Sequence, residues 1–93
     1  VRKIIEAPTF HRDSKKLSLD LEIALQKTVA IVRNNPRDPR LNLKKLRGRK
    51  NVFRAKVHDY RLVFRIKKDA IESVNFAPRD QIYSKKHFDL FLS

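Results

Sequence analysis

The apolar and polar positions divide the chain into one helical segment and a block of alternating strands. From residue 18 to 34, Leu21, Ala24, Leu25, Thr28, Ile31 and Val32 recur at spacings of three and four, which gathers them on one stripe of a helix. Ser18 is a good N-cap, Asp20 and Glu22 lie in the first turn where the helix dipole favours them, and Asn34-Asn35-Pro36 ends the segment. The pattern predicts an amphipathic helix over about 18–34 whose apolar face packs on a sheet. Beyond residue 52 the period falls to two. Phe53, Ala55 and Val57 alternate with Arg54 and Lys56; Tyr60, Leu62, Phe64 and Ile66 alternate with Arg61, Val63 and Arg65; a third run, Ala70–Phe76, carries Ile71, Val74 and Phe76. Short turns, His58-Asp59 and Lys67-Lys68-Asp69, join these runs, so neighbours should pair antiparallel as a meander.

The remaining segments are less regular. Ile4 and Ile5 stand side by side before Pro8, which reads as a short buried strand over Val1–Ala7, and Thr9–Lys16 can form a short helix with Thr9 as its cap. The stretch from Pro36 to Lys50 holds two prolines and the single glycine, Gly48, and reads as a loop tied down by Leu41, Leu43 and Leu46. The tail His87–Ser93 can be helical. The expected architecture is α+β: a short N-terminal strand, two helices on a curved, mainly antiparallel sheet, and an optional C-terminal helix. Ninety-three residues suffice for a single domain, 1–93, and are too few for two.

Composition narrows the chemistry. With no cysteine there is neither a disulfide framework nor a thiolate metal site, and a reducing cytoplasm suits the chain. No apolar run approaches the roughly 20 residues needed to span a bilayer, and the N-terminus carries no secretory apolar stretch. His11, His58 and His87 are far apart in sequence and carboxylates are few, so neither a metal nor another cofactor is expected.

The formal net charge is +13, and its location matters more than its size. Residues 36–68 hold 13 basic and 2 acidic side chains, whereas 1–35 hold 7 and 4, and 69–93 hold 3 and 4. A one-sign block within a folded region repels itself, and an anionic partner relieves that cost. A membrane surface is the weakest candidate partner, because no basic amphipathic helix accompanies the charge. Alternation sharpens the point. If Phe53, Ala55, Val57, Tyr60, Leu62 and Phe64 face the helix, then Arg54, Lys56, Arg61 and Arg65 share the opposite, open face, a surface suited to a phosphodiester backbone.

The run DPRLNLKKLRGRKNVFRAKVHDYRLVFRI, followed by VNFAPRDQIY, resembles the RelE/ParE superfamily of toxins from type II toxin–antitoxin systems, closer to the RelE branch. The resemblance covers about 36–83 in detail and rests on the helix ending at an NP step, the basic loop with its leucines and glycine, the DYR after a basic strand, and an arginine four residues before a tyrosine. It implies a β-α-α-β-β-β toxin domain. It also implies one of two activities: ribosome-dependent cleavage of messenger RNA, as in the RelE branch, or inhibition of DNA gyrase, as in the ParE branch; the charge by itself would also suffice for a non-catalytic RNA-binding module. Carried across, the RelE-type working residues fall on Arg54, Lys56, Arg61 and Tyr83. The remaining arginine falls on Ala77 by strict spacing from the tyrosine, or on Arg79 as the nearest arginine; Pro78 replaces a usual histidine, and His58 stands where many members have glycine. Lys44, Lys45, Arg47, Arg49, Lys50 and Arg65 would bind RNA or ribosome. The family also implies a cognate antitoxin, here acidic or amphipathic, and a toxin–antitoxin hetero-oligomer.

Cleaving RNA through its own 2′-hydroxyl requires a base, an acid and positive charge for the phosphorane. Arginines stabilise charge but stay protonated; Lys56 or Tyr83 could move protons, and His58 is a further candidate in the hairpin turn. Plain structural roles compete with these. Arg61 can simply hold the turn, Arg79 can pair with Asp80 or Glu72, Tyr83 can pack, and Arg54 and Lys56 can be solvated strand positions.

Overall fold

The computed structural model describes residues 2–15, 17–46 and 48–82. Strand β1 (Lys3–Glu6), helix α1 (Pro8–Asp13), helix α2 (Leu19–Asn34), a 3-10 turn (Pro39–Leu41) and strands β2 (Lys44–Lys45), β3 (Val52–Val57), β4 (Tyr60–Ile66) and β5 (Ala70–Pro78) follow in that order. The strands form one sheet in the order β1-β5-β4-β3-β2. The meander β3-β4-β5 and its neighbour β2 are antiparallel, while β1 runs parallel to β5, so the fold is α+β as the periodicities require.

Helix α2 supplies the expected stripe. Ser18 caps it, its side chain accepting from the Leu21 amide at 3.3 Å, and Leu25, Thr28 and Val32 are buried. They meet Phe53, Ala55, Val57, Leu62, Phe64, Ile71 and Phe76 of the sheet, with Phe10 and Leu41 closing the core. The Phe53 and Phe64 rings stack with centroids 6.2 Å apart. Leu41 and Leu46 are buried and Leu43 half-buried, so the leucines do tie down the loop. At the loop's start Asp38 accepts from the Arg40 amide and guanidinium, both at 2.9 Å, and these bonds lower its pKa to about 2.

Four expectations change. The first strand is not buried: as the edge of the sheet it is covered on one side only, leaving Ile4 half-buried and Ile5 exposed. Thr9 is not a cap. Pro8 begins α1 after Ala7, and the Thr9 hydroxyl instead donates to the Val74 carbonyl of β5. The whole of α1 stands in for a strand: β1 pairs with β5 only as far as Ser73, and beyond it the Asp13 carboxylate accepts from the Phe76 amide at 3.0 Å and the Asn75 side chain at 3.3 Å. The loop contains a strand, since Lys44 and Lys45 pair with Arg54 and Phe53; two lysines carry no periodicity that could announce it. Finally, β5 runs to Pro78 and is bulged. Phe64 faces Ser73 while Val63 faces Asn75, leaving Val74 as the extra residue. The tail helix lies outside the described residues.

Candidate nucleic-acid interface

Cross-strand register places the basic residues. Lys56 lies directly opposite Arg61, which neighbours Ala77. In the next row Lys44, Arg54, Val63 and Asn75 follow one another across four strands, and Arg65 sits between Val52 and Glu72. Arg54, Lys56, Arg61 and Arg65 therefore share the sheet face away from α2. That face is not bare. Leu46, Val52, Val63, Val74, Ala77 and Ile82 form a second apolar cluster on it, itself buried, so the cations border a second small core rather than an open polar surface. Val63, an apolar residue at an outward position among arginines, is the sequence signal for that cluster.

Arg61 departs most from the expected open placement. It is only 8% exposed, and its Nη1 donates to the carbonyls of His58 (3.1 Å) and Tyr60 (2.8 Å). The tight β3–β4 turn brings these two oxygens close together, and the Arg61 guanidinium folds back to bridge them. His58 adopts φ 53°, in the left-handed region, a backbone conformation that favours glycine. The same turn is bound from the far side, the Arg79 amide donating to the Asp59 carbonyl at 2.7 Å. Lys56, Arg61 and Arg79 thus converge on one end of the sheet, with Arg54 and Lys44 one row behind. Lys56 and Arg79 are exposed and make no ion pair among the described residues. Arg79 therefore pairs with neither Asp80 nor Glu72 there.

The opposite end carries the other cations. Arg65 and Lys67 both approach Glu72, at 3.8 and 3.6 Å, and the Arg49 Nη1 donates to the Gly48 carbonyl at 3.2 Å. Lys45 and Lys50 are exposed. Tyr83 and Arg47 lie outside the described residues. Among those described, no three metal-ligating side chains come together, and no helix is long and apolar enough to cross a membrane.

Residues 3–83 match the family model of the ParE toxin of type II toxin–antitoxin systems. The chain belongs to this family, within the RelE/ParE superfamily. No curated protein matches this toxin-family chain in sequence. Its fold recurs in solved structures. The toxin of the RelB–RelE antitoxin–toxin complex from Methanococcus jannaschii is 24% identical, with 87% of this chain and 96% of that one covered and a TM-score of 0.73. A mutant RelE from E. coli in the free state is 17% identical, with 98% and 94% covered and a TM-score of 0.75. YafQ from E. coli is likewise 17% identical, with 90% and 100% covered and a TM-score of 0.70.

Proposed function

We propose that this chain is the toxin of a type II toxin–antitoxin pair and acts as a metal-independent, ribosome-dependent endoribonuclease on messenger RNA, with residues 1–93 as one toxin domain in the cytoplasm. The observation that carries the reading is the convergence of Lys56, Arg61 and Arg79 on the hairpin end of the sheet, where Lys56 and Arg79 make no ion pair among the described residues. Exposed cations that no carboxylate pairs among the described residues suit the phosphodiester backbone of RNA.

In the step itself the 2′-oxygen bonds to phosphorus as the bond from phosphorus to the 5′-oxygen breaks, leaving a 2′,3′-cyclic phosphate and a free 5′-hydroxyl. A base takes the 2′-proton and an acid protonates the departing oxygen. Lys56 and Tyr83 are the proton-moving candidates. Arg54 and Arg79 stabilise the phosphorane charge, and buried Arg61 fixes the hairpin that carries Lys56. Lys44, Lys45, Arg47, Arg49, Lys50 and Arg65 extend the contact to ribosomal and messenger RNA. The M. jannaschii neighbour was solved with its antitoxin RelB, and a cognate antitoxin, acidic to match this +13 chain, is the expected partner in a hetero-oligomer.

The test is messenger RNA integrity in a translating extract with purified, antitoxin-free protein. Cleavage that needs ribosomes and is lost in Lys56→Ala and Tyr83→Phe supports the reading; intact RNA sinks it. The matched family model is that of ParE, which favours gyrase inhibition as the second reading. That alternative calls for accumulated gyrase–DNA cleavage complexes, no RNA cleavage, and no effect of Tyr83→Phe.

A further inference from the structure

A cleft of about 410 Å³ opens where β4 begins and β5 ends, a size in the range of small-ligand sites. Leu17, Tyr60, Phe76 and Pro78 give it an apolar lining, and Lys15 and Gln81 are among its polar residues. The half-buried Tyr60 ring stacks on Phe76, with centroids 4.9 Å and planes 28° apart, so one aromatic wall is held in place. The α1 side is fixed as well. Thr9 donates to the Val74 carbonyl, and the Asp13 carboxylate accepts from the Phe76 amide and the Asn75 side chain. On the remaining side the Gln81 and Ile82 amides both donate to the Pro78 carbonyl at 2.9 Å, which sets the turn that carries Gln81. The cleft adjoins the basic cluster without sharing its residues, for Tyr60 precedes Arg61 and Pro78 precedes Arg79.

We infer that this cleft receives a nucleobase of the messenger RNA, stacked on Tyr60, from a nucleotide flanking the phosphate that is cut. This rests on the ribonuclease reading given above and adds to it a subsite that grips and selects the base. Three features choose the occupant. A fixed aromatic wall takes the face of a base, and single-stranded RNA is read by such stacking combined with hydrogen bonds to base edges. Gln81 is exposed and its side chain offers both donors and an acceptor, as a base edge requires. Lys15, exposed and in no ion pair among the described residues, supplies a cation for the adjoining backbone. The two faces of the sheet then divide the nucleotide. Tyr60 and Phe76 belong to the helix-side core, whereas Arg61 and Ala77 lie on the other side. A strand of RNA rounding this end of the sheet leaves its phosphate with Lys56 and Arg79 and its base with Tyr60.

The experiment uses the full, antitoxin-free chain in a translating extract, with initial rates measured at limiting message and every cut mapped by sequencing the new ends. Tyr60→Leu should lower the rate about tenfold, the loss expected for one stacked base, and Tyr60→Phe should restore it. Gln81→Leu and Gln81→Glu, at an exposed turn position, should melt like wild type. They should shift the base frequencies at one position beside the cut by about threefold or more, as losing a single hydrogen bond would. Unchanged base frequencies in both Gln81 variants overturn the subsite whatever Tyr60→Leu does to the rate, and they leave the ribonuclease reading intact. A wild-type rate in Tyr60→Leu overturns it equally. Cleavage unchanged in all these variants but less inhibited by the product of the adjoining reading frame would assign the cleft to a protein partner instead. No cleavage by the wild type overturns the ribonuclease reading, and this inference with it.

Discussion

The two ends of the β3-β4-β5 meander carry similar numbers of cations and differ in what neutralises them. At the loop end, Glu72 sits between Arg65 and Lys67, and Arg49 folds back onto the Gly48 carbonyl. At the hairpin end, buried Arg61 is engaged with the turn, while Lys56 and Arg79 are exposed and unpaired among the described residues. Positive charge alone therefore does not locate a phosphate site; uncompensated charge held on a rigid frame does. The frame at the hairpin end is the turn itself, bound once by Arg61 and once by the Arg79 amide.

That contrast is open to attack at each end. The largest effect is expected from Lys56→Ala, which should lower ribosome-dependent cleavage by about 100-fold or more, in the range for losing a proton-transfer group. Lys50→Ala at the loop end should cost less than about threefold, since one exposed phosphate contact is worth little at moderate salt. Equal losses, measured as initial cleavage rates, would erase the distinction between the ends. Next in size, Arg61→Ala should destabilise the fold by about 2 kcal/mol, because it strips the donor from two carbonyls at a buried site. Chemical denaturation measures this, and a fold-neutral Arg61→Ala would leave the turn without its proposed clamp.

Smaller changes refine the picture. His58→Gly should raise stability by about 1 kcal/mol by relieving the left-handed backbone, with melting as the readout. Glu72→Gln should leave stability within about 1 kcal/mol of wild type, since its partners are partly exposed. It should also strengthen RNA binding and steepen its salt dependence, turning the loop end into a second uncompensated patch. The smallest effect belongs to Asp38. Arg40 lowers its pKa from 3.8 to about 2, so the ionised carboxyl stabilises the loop above pH 3.8 and loses that contribution as pH falls through about 2. Comparing Asp38→Asn with wild type by thermal melts should show a difference that shrinks across this interval.

Much of the fold was legible because it obeys local periods. Helix α2, its Ser18 cap, the three-strand meander and the leucine anchors of the loop all follow from spacing and turn residues. What stayed illegible was set by distant contacts. The parallel pairing of β1 with β5 joins segments more than 60 residues apart, and the roles of Thr9 and Asp13 depend on the β5 edge they meet. The candidate site was legible by face but not by depth. Alternation assigns Arg61 to the same side as Lys56, yet it cannot distinguish an arginine reaching into solvent from one folded onto its own turn. Leu19 and Ile23 fall outside the apolar stripe that periodicity assigns to α2, and both are exposed.

The bulge at Val74 has a consequence best put as parity. Upstream of it the helix-facing positions of β5 are odd-numbered, as at Ile71; downstream they are even-numbered, as at Phe76, and Ala77 is sent to the other side. A single inserted residue has thus shifted the phase of everything between it and the Arg79 turn. Deleting Val74 would therefore merge the two registers into one regular ladder and leave Phe76, Ala77 and the Arg79 turn on the sides they already occupy. For this fold β5 absorbs a one-residue change of length at the bulge better than on either side of it, and drift in strand length among relatives should concentrate at Val74.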